Sequence, residues 1–242
     1  PYSIYGIGDL SNPGSAYNKS MGGVGIASRN NRFLNIVNPA AVTARDSLAF
    51  MADFSLYGDN KIFKQDKTTS ASNTFNINDI AMSFPIQRAS AMMVGVQPFS
   101  DTGFGFSYDF DDPSVIGITE NITYAATGSG SIYKGFAAAG VTFLKRLSIG
   151  VEADYYFGMT RKGFAYSFSN ASFNSISNST ELQVSGWGGK FGLQYEQPLG
   201  KAAFIRAGAT YSLGTDIKGY RTRYAFGVST NSTDTIRYDQ GN

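Results

Sequence analysis

The sequence predicts an all-β fold, a transmembrane antiparallel β-barrel, and three observations carry the prediction. Apolar and polar residues alternate strictly over many segments. The links between those segments alternate between very short and long. Charge is scarce, at 16% of residues, beside 28 glycines, 15 tyrosines and 19 phenylalanines in a chain of 242. An ordinary soluble domain carries about 25% charged residues and about 7% glycine. Period two with one apolar face describes a strand wetted on its other side. A wall that is apolar on one side only also accounts for a mean hydropathy of just −0.16. No apolar run reaches the ~18 residues that a membrane helix needs.

Residues 1–45 lack the alternation and form a glycine-punctuated segment, with a short helical turn expected near 39–44. Forty-five such residues exceed an ordinary connection, and a segment preceding a barrel can fold back into its lumen. The domain reading is therefore an N-terminal hatch over 1–45 and the first part of a barrel over 46–242.

Seven strands follow, at 46–58, 74–86, 91–110, 120–144, 147–168, 181–198 and 202–222. In 147–157, Leu147, Ile149, Val151, Ala153, Tyr155 and Phe157 oppose Ser148, Gly150, Glu152, Asp154 and Tyr156. After the second, fourth and sixth strands the links are only "QRAS", "KR" and "PLGK", and the others are longer and polar. This alternation separates periplasmic turns from extracellular loops in outer-membrane barrels. Glu152, Asp154, Lys190, Gln194, Glu196 and Arg206 would line the lumen. The apolar face, with Trp187, Tyr155 and Tyr195 as interface aromatics, would meet membrane lipid. A soluble sandwich is the alternative, opposed by the low charge and the strand lengths.

The third strand is irregular. Met92, Val94 and Val96 are expected to share a face with Phe104, Phe106, Tyr108 and Phe110, yet Pro98 and Gly103 stand between them. Proline donates no ladder hydrogen bond, so a kink is expected over Pro98, Ser100, Asp101 and Gly103, either as a gap or as a shaping bulge. The tail "TNSTDTIRYDQGN" reads as polar loop. Seven strands is an odd number for such a barrel, so the chain is expected to be the first half of a longer protein.

The residue types that are missing narrow the chemistry. Without cysteine or histidine there is no disulfide, no thiolate nucleophile and no common metal ligand or general base. The chain is expected not to be an enzyme, with no cofactor and no metal. Asp111, Asp112 and Glu120 could hold Ca²⁺, although a solvated acidic loop is the commoner fate of such a group. A net charge of +2 from scattered Lys and Arg offers no field for nucleic acid.

The run "GIGDLSNPGSAYNKSMGGVGIASRNNRFLNIVNPAAVTA" resembles the N-terminal hatch of the FadL-like outer-membrane transporters, in the form common among Bacteroidetes. The residues that carry the resemblance are Gly22, Gly23, Gly25 and Ala27, then Asn38, Pro39 and Ala40 directly ahead of the first strand. It implies a bacterial outer-membrane barrel of fourteen strands, about seven of them here, plugged by the hatch and passively transporting hydrophobic compounds. It also implies a lateral opening at the third-strand kink. Phe99, Phe104 and Phe106 beside that gap, with Phe33 and Leu34 from the hatch, would contact hydrophobic small molecules. The alternative is a non-transporting barrel, a subunit or scaffold of an outer-membrane complex for protein secretion, barrel insertion or nutrient uptake. Its partners would be other outer-membrane proteins.

Overall fold

In a computed structural model that describes residues 2–46, 48–65, 68–110, 113–117, 121–170, 172–200, 203–229 and 232–240, the alternating segments pair into one antiparallel sheet. The strands are β1 (Asp9–Leu10), β2 (Met51–Gln65), β3 (Thr68–Gln87), β4 (Ser90–Asp101), β5 (Phe104–Phe110), β6 (Ile122–Phe143), β7 (Leu147–Phe168), β8 (Ser175–Leu199), β9 (Ala203–Ser212), β10 (Lys218–Ser229) and β11 (Ser232–Gln240). Helix α1 (Ala16–Ser20), a 3-10 turn at Pro39–Thr43 and helix α2 (Pro113–Ile116) complete the elements that concern the site.

The sheet runs β2-β3-β4-β6-β7-β8-β10-β11. β5 continues β4 along β6, and β9 precedes β10 along β8. Tight turns join β3 to β4 and β6 to β7 on one rim, where β8 and β9 also end their pairing at Leu199 and Ala203. The sheet curls into a half-barrel, and residues 3–46 lie across its concave face. Among the described residues no ladder joins β2 to β11.

Sidedness follows the alternation. Along Leu147–Phe157 burial alternates strictly up to Tyr155: Ser148, Glu152 and Asp154 are covered, while Ile149, Val151 and Tyr155 are exposed on the convex face. Convex side chains pair across the ladders, Leu147 with Tyr195, Val151 with Phe191 and Tyr155 with Trp187. The molecule is thus greasy outside and polar within. No helix among the described residues is long and apolar enough to cross a membrane, a statement that concerns helices alone.

Three expectations are corrected. The expected loop 59–73 is the continuing β2–β3 hairpin, paired out to Gln65 opposite Thr68. The expected loop 169–180 contains the start of β8. The expected loop-like tail holds β11, paired with β10 from Ser229–Ser232 to Arg221–Gln240, so eight strands lie along the sheet path. All of these stretches sit beyond the apolar belt, where neither face needs to be greasy and the alternation that marks a strand disappears.

A fourth correction concerns facing. Phe99 is a bulge against β6, where the register jumps from Pro98–Tyr133 to Ser100–Ile132. One extra residue inverts every side chain after it. Met92, Val94 and Val96 are therefore on the convex face. Phe104, Phe106 and Tyr108 are on the concave one, where Phe106 and Tyr108 meet Tyr124.

Candidate functional site

An irregular segment can be rigid only if its backbone groups find partners, and buried asparagines supply them here. Ser15 caps α1 in a reciprocal box with Asn18. Asn18 donates to the Val24 carbonyl at 3.1 Å and to Asn35 Oδ1 at 3.2 Å. Asn35 donates to the carbonyls of Gly25 and Ser28. Asn38, extended at φ −121° and ψ 116° as a residue before proline prefers, accepts from the Ala40 N–H at 3.0 Å and so caps the 3-10 turn. Its amide donates to Ile26 O at 2.7 Å within the segment and to Leu193 O at 3.2 Å on β8.

The wall receives this turn on a row of glycines. Gly140, Gly150 and Gly192 are consecutive ladder partners across β6, β7 and β8. A Cβ on Gly150 would stand 2.3 Å from the Pro39 carbonyl carbon, and one on Gly192 would stand 2.0 Å from Asn38 Oδ1. One on Gly208 of β9 would stand 2.3 Å from Ile26 O. The Asn-Pro-Ala turn thus lies in a trough that only glycine leaves open.

Polar anchors flank the trough. On the turn side, Arg29 donates to Ser148 Oγ at 2.8 Å, Gln194 Oε1 at 3.0 Å and Thr43 Oγ1 at 3.0 Å. Burial lowers the Arg29 pKa, with Glu196 opposing that shift and Arg206 adding to it. On the inner side, Glu152 Oε1 lies 2.9 Å from both Lys134 Nζ and Lys190 Nζ, and Lys134 is 3.1 Å from Asp154. Lys190 also donates to Val37 O at 3.2 Å. Two ammonium and two carboxylate groups compensate one another in a place where an unpaired charge would be prohibitive.

Leu34, Ile36 and Val42 close the interface against Ala81, Ala91, Met93, Phe136 and Ala138. At the short-turn mouth stays a cavity of about 570 Å³, bordered by Arg29, Arg32, Arg45 and Arg206 with Glu196 and Phe33. Arg206 is held by Glu196 and by the Arg29 carbonyl.

The residues singled out by the sequence fall into different places. Gly22 and Gly23, at φ +72° and +84°, end α1 through bonds to Lys19 O and Asn18 O and have open space around them. Gly25 packs on Val37 inside the segment. The close approach to the wall therefore uses the wall's own glycines. Asn38, Pro39 and Ala40 meet that trough.

At the third-strand irregularity, β3–β4 pairing ends at Ile80–Val96. Beyond it β1 takes the vacated edge, with Leu10 opposite Ser100 and Asp9 opposite Asp101, and Ser100 Oγ donates to Ile7 O at 2.9 Å. Gly103 lies between β4 and β5, near Ser3. The five aromatic and aliphatic candidates do not converge. Leu34 is core, Phe33 stacks on Tyr17 at 4.6 Å and Phe99 meets Tyr156 edge-on. Phe104 covers Gly128, and Phe106 joins the Tyr124 cluster toward the other rim. The calcium candidates Asp111, Asp112 and Glu120 lie outside the described residues.

Arg29, Asn18, Asn35 and the wall glycines carry the interface, and nothing in the N-terminal segment alone distinguishes the first three. Among the described residues no three His, Cys, Asp or Glu side chains are grouped to hold a metal. The arrangement binds and holds.

Comparison with known proteins corrects the FadL-like resemblance. The chain matches no curated protein and no solved structure. The sequence model that it does match, over residues 1–241, is that of BamG, a Bam complex component family, and not that of a FadL family. The stretch from Gly22 to Ala40 is thus an incomplete guide to the family. The chain belongs to the BamG family.

Proposed function

We propose that this protein is a non-catalytic, outer-membrane-embedded subunit of the complex that assembles β-barrels, and that its fixed interior makes it a structural partner of other outer-membrane proteins. The observation that carries the proposal is the family match over residues 1–241. The interior supports it: a segment held through Arg29, Asn38 and Lys190 to the successive strands β7, β8 and β9 suits a scaffold better than a conduit.

The convex face supports residence in the membrane. On β7 it is apolar or alanine from Leu147 to Met159 and turns polar where Arg161 pairs with Glu181. At about 3.3 Å per residue this is a belt of about 40 Å along the strand, or about 30 Å along the normal at the ~40° tilt of such walls. That matches the ~30 Å hydrocarbon core of a bilayer.

The test is purification of the tagged chain from its own membranes under mild detergent, with the stoichiometry of co-purifying proteins measured. Barrel-assembly components at a fixed ratio are expected. A chain that purifies alone, from a membrane in which it is abundant and folded, would remove the subunit reading.

A further inference from the structure

The short-turn rim is basic. Its links 88–89 and 144–146 carry Arg88, Lys145 and Arg146 and no acid. The cavity opens on the basic rim, and its own border adds Arg29, Arg32, Arg45 and Arg206 against one carboxylate, Glu196. Three of those guanidinium groups are engaged internally: Arg29 with Ser148 and Gln194, Arg45 with Ala49 O and Phe84 O, and Arg206 with Glu196. Arg32 is exposed, and among the described residues its guanidinium has no partner. Asp46, the other acid nearby, accepts from Asn31 at 2.9 Å.

We propose that this arginine-lined cavity docks an acidic segment of a partner protein, Arg32 making the direct contact and the three engaged arginines supplying a fixed positive field. The inference rests on the subunit role proposed above and names the partner chemistry at its short-turn mouth. A guanidinium presents paired donors that match a carboxylate. A cavity of about 570 Å³ lies within the ~300–1,000 Å³ of ordinary ligand sites, with room for more than one side chain. Its position favours a protein over a lipid headgroup. Glu196 and Arg206 lie on the concave side, in register with each other and two residues from the inward Gln194. Lipid packed on the convex face has the wall between itself and the cavity.

The experiment measures fluorescence anisotropy of labelled hexaglutamate against the purified full chain in detergent, with hexaglutamine as control. Saturable binding of hexaglutamate alone is expected, weakening with salt and falling about tenfold or more in Arg32→Glu. Arg32→Glu should keep the wild-type melting profile, because its side chain holds nothing in place. No binding, equal binding of hexaglutamine, or unchanged binding in Arg32→Glu overturns the proposal. Displacement by short-chain phosphatidylglycerol at lower concentration than by unlabelled hexaglutamate assigns the cavity to lipid and also overturns it.

A second arm separates this inference from the role beneath it. Loss of co-purifying outer-membrane proteins in Arg32→Glu cells, with retention in Arg32→Lys cells, supports docking. Retention in both overturns docking and leaves the subunit role standing. A wild-type chain that purifies alone overturns the subunit role itself.

Discussion

Gly150 lies directly opposite Gly192 on neighbouring strands, and the space that their absent side chains leave is filled by Asn38 and Pro39. This pair joins the N-terminal segment to the barrel wall through shape alone, before any hydrogen bond is counted.

Gly150→Val should therefore expel the segment. Its Cβ would fall on Pro39 backbone, which cannot swing aside as a flexible side chain would, and overpacking of this kind costs about 1–3 kcal/mol or more. Trypsin should then cut rapidly after Arg29 and Arg32 while the strands stay protected. Gly105→Val, into open space on β5, is the control. Equal protection in both variants would refute the trough.

Asn38 is the donor for carbonyls of both the segment and β8. Asn38→Asp keeps the size and the cap on Ala40 but turns a donor into an acceptor that faces those carbonyls. It should destabilise by about 1–3 kcal/mol and at least as much as Asn38→Ala, in urea titrations of the protein in micelles. An Asp variant as stable as wild type would show that the amide is dispensable.

Glu152 read from the sequence is a lumen residue that glutamine should replace at little cost. The structure changes that expectation, because its side chain is fully buried and its carboxylate sits between Lys134 and Lys190. Glu152→Gln leaves two buried ammonium groups with one remaining carboxylate and should cost about 3–5 kcal/mol. Adding Lys190→Met should recover part of that loss, and simple additivity of the two changes would argue against a coupled network. Arg at neighbouring Val151, on the convex face, should cost about 2–4 kcal/mol near the bilayer midplane.

Leu10 and Ser100 are ladder partners, and the chain has no cysteine of its own. A Leu10→Cys, Ser100→Cys variant should form one disulfide under oxidising conditions, visible as a mobility shift that reductant abolishes. Leu10→Cys with Gly105→Cys should not. Failure of the first pair to cross-link would place β1 elsewhere.

Much of the wall could be read from the chain because facing repeats every two residues. Ile149, Val151, Tyr155 and Phe191 stand outside, and Glu152, Asp154 and Lys190 within, as their alternation requires. Even the glycine trough leaves a trace: Gly140 and Gly150 are equidistant from Lys145 in the β6–β7 turn, so the hairpin must bring them together. The bulge at Phe99 defeats such counting, since one added residue between Pro98 and Ser100 reverses Phe104 to Phe110 without altering composition. β11 escapes it for the opposite reason, because Ser232–Gln240 holds only Ile236 and Tyr238 as large apolar or aromatic residues, too short an alternation to mark a strand. The anchors Arg29 and Asn35 are set by contacts with strands more than a hundred residues away or by turns with no period, and local pattern contains neither.

The substitution of β1 for β3 on the edge of β4 also has a bearing on the order of assembly. The partners of Ile4 and Ile7 are Lys162 and Ser100, 158 and 93 residues later. Contacts so distant in sequence form late, because the intervening chain must first be closed into place. The segment that carries these residues is then among the last to settle. It waits as an asparagine- and glycine-rich tether until β4, β6 and β7 exist to receive it, and its docking marks the completion of the concave face.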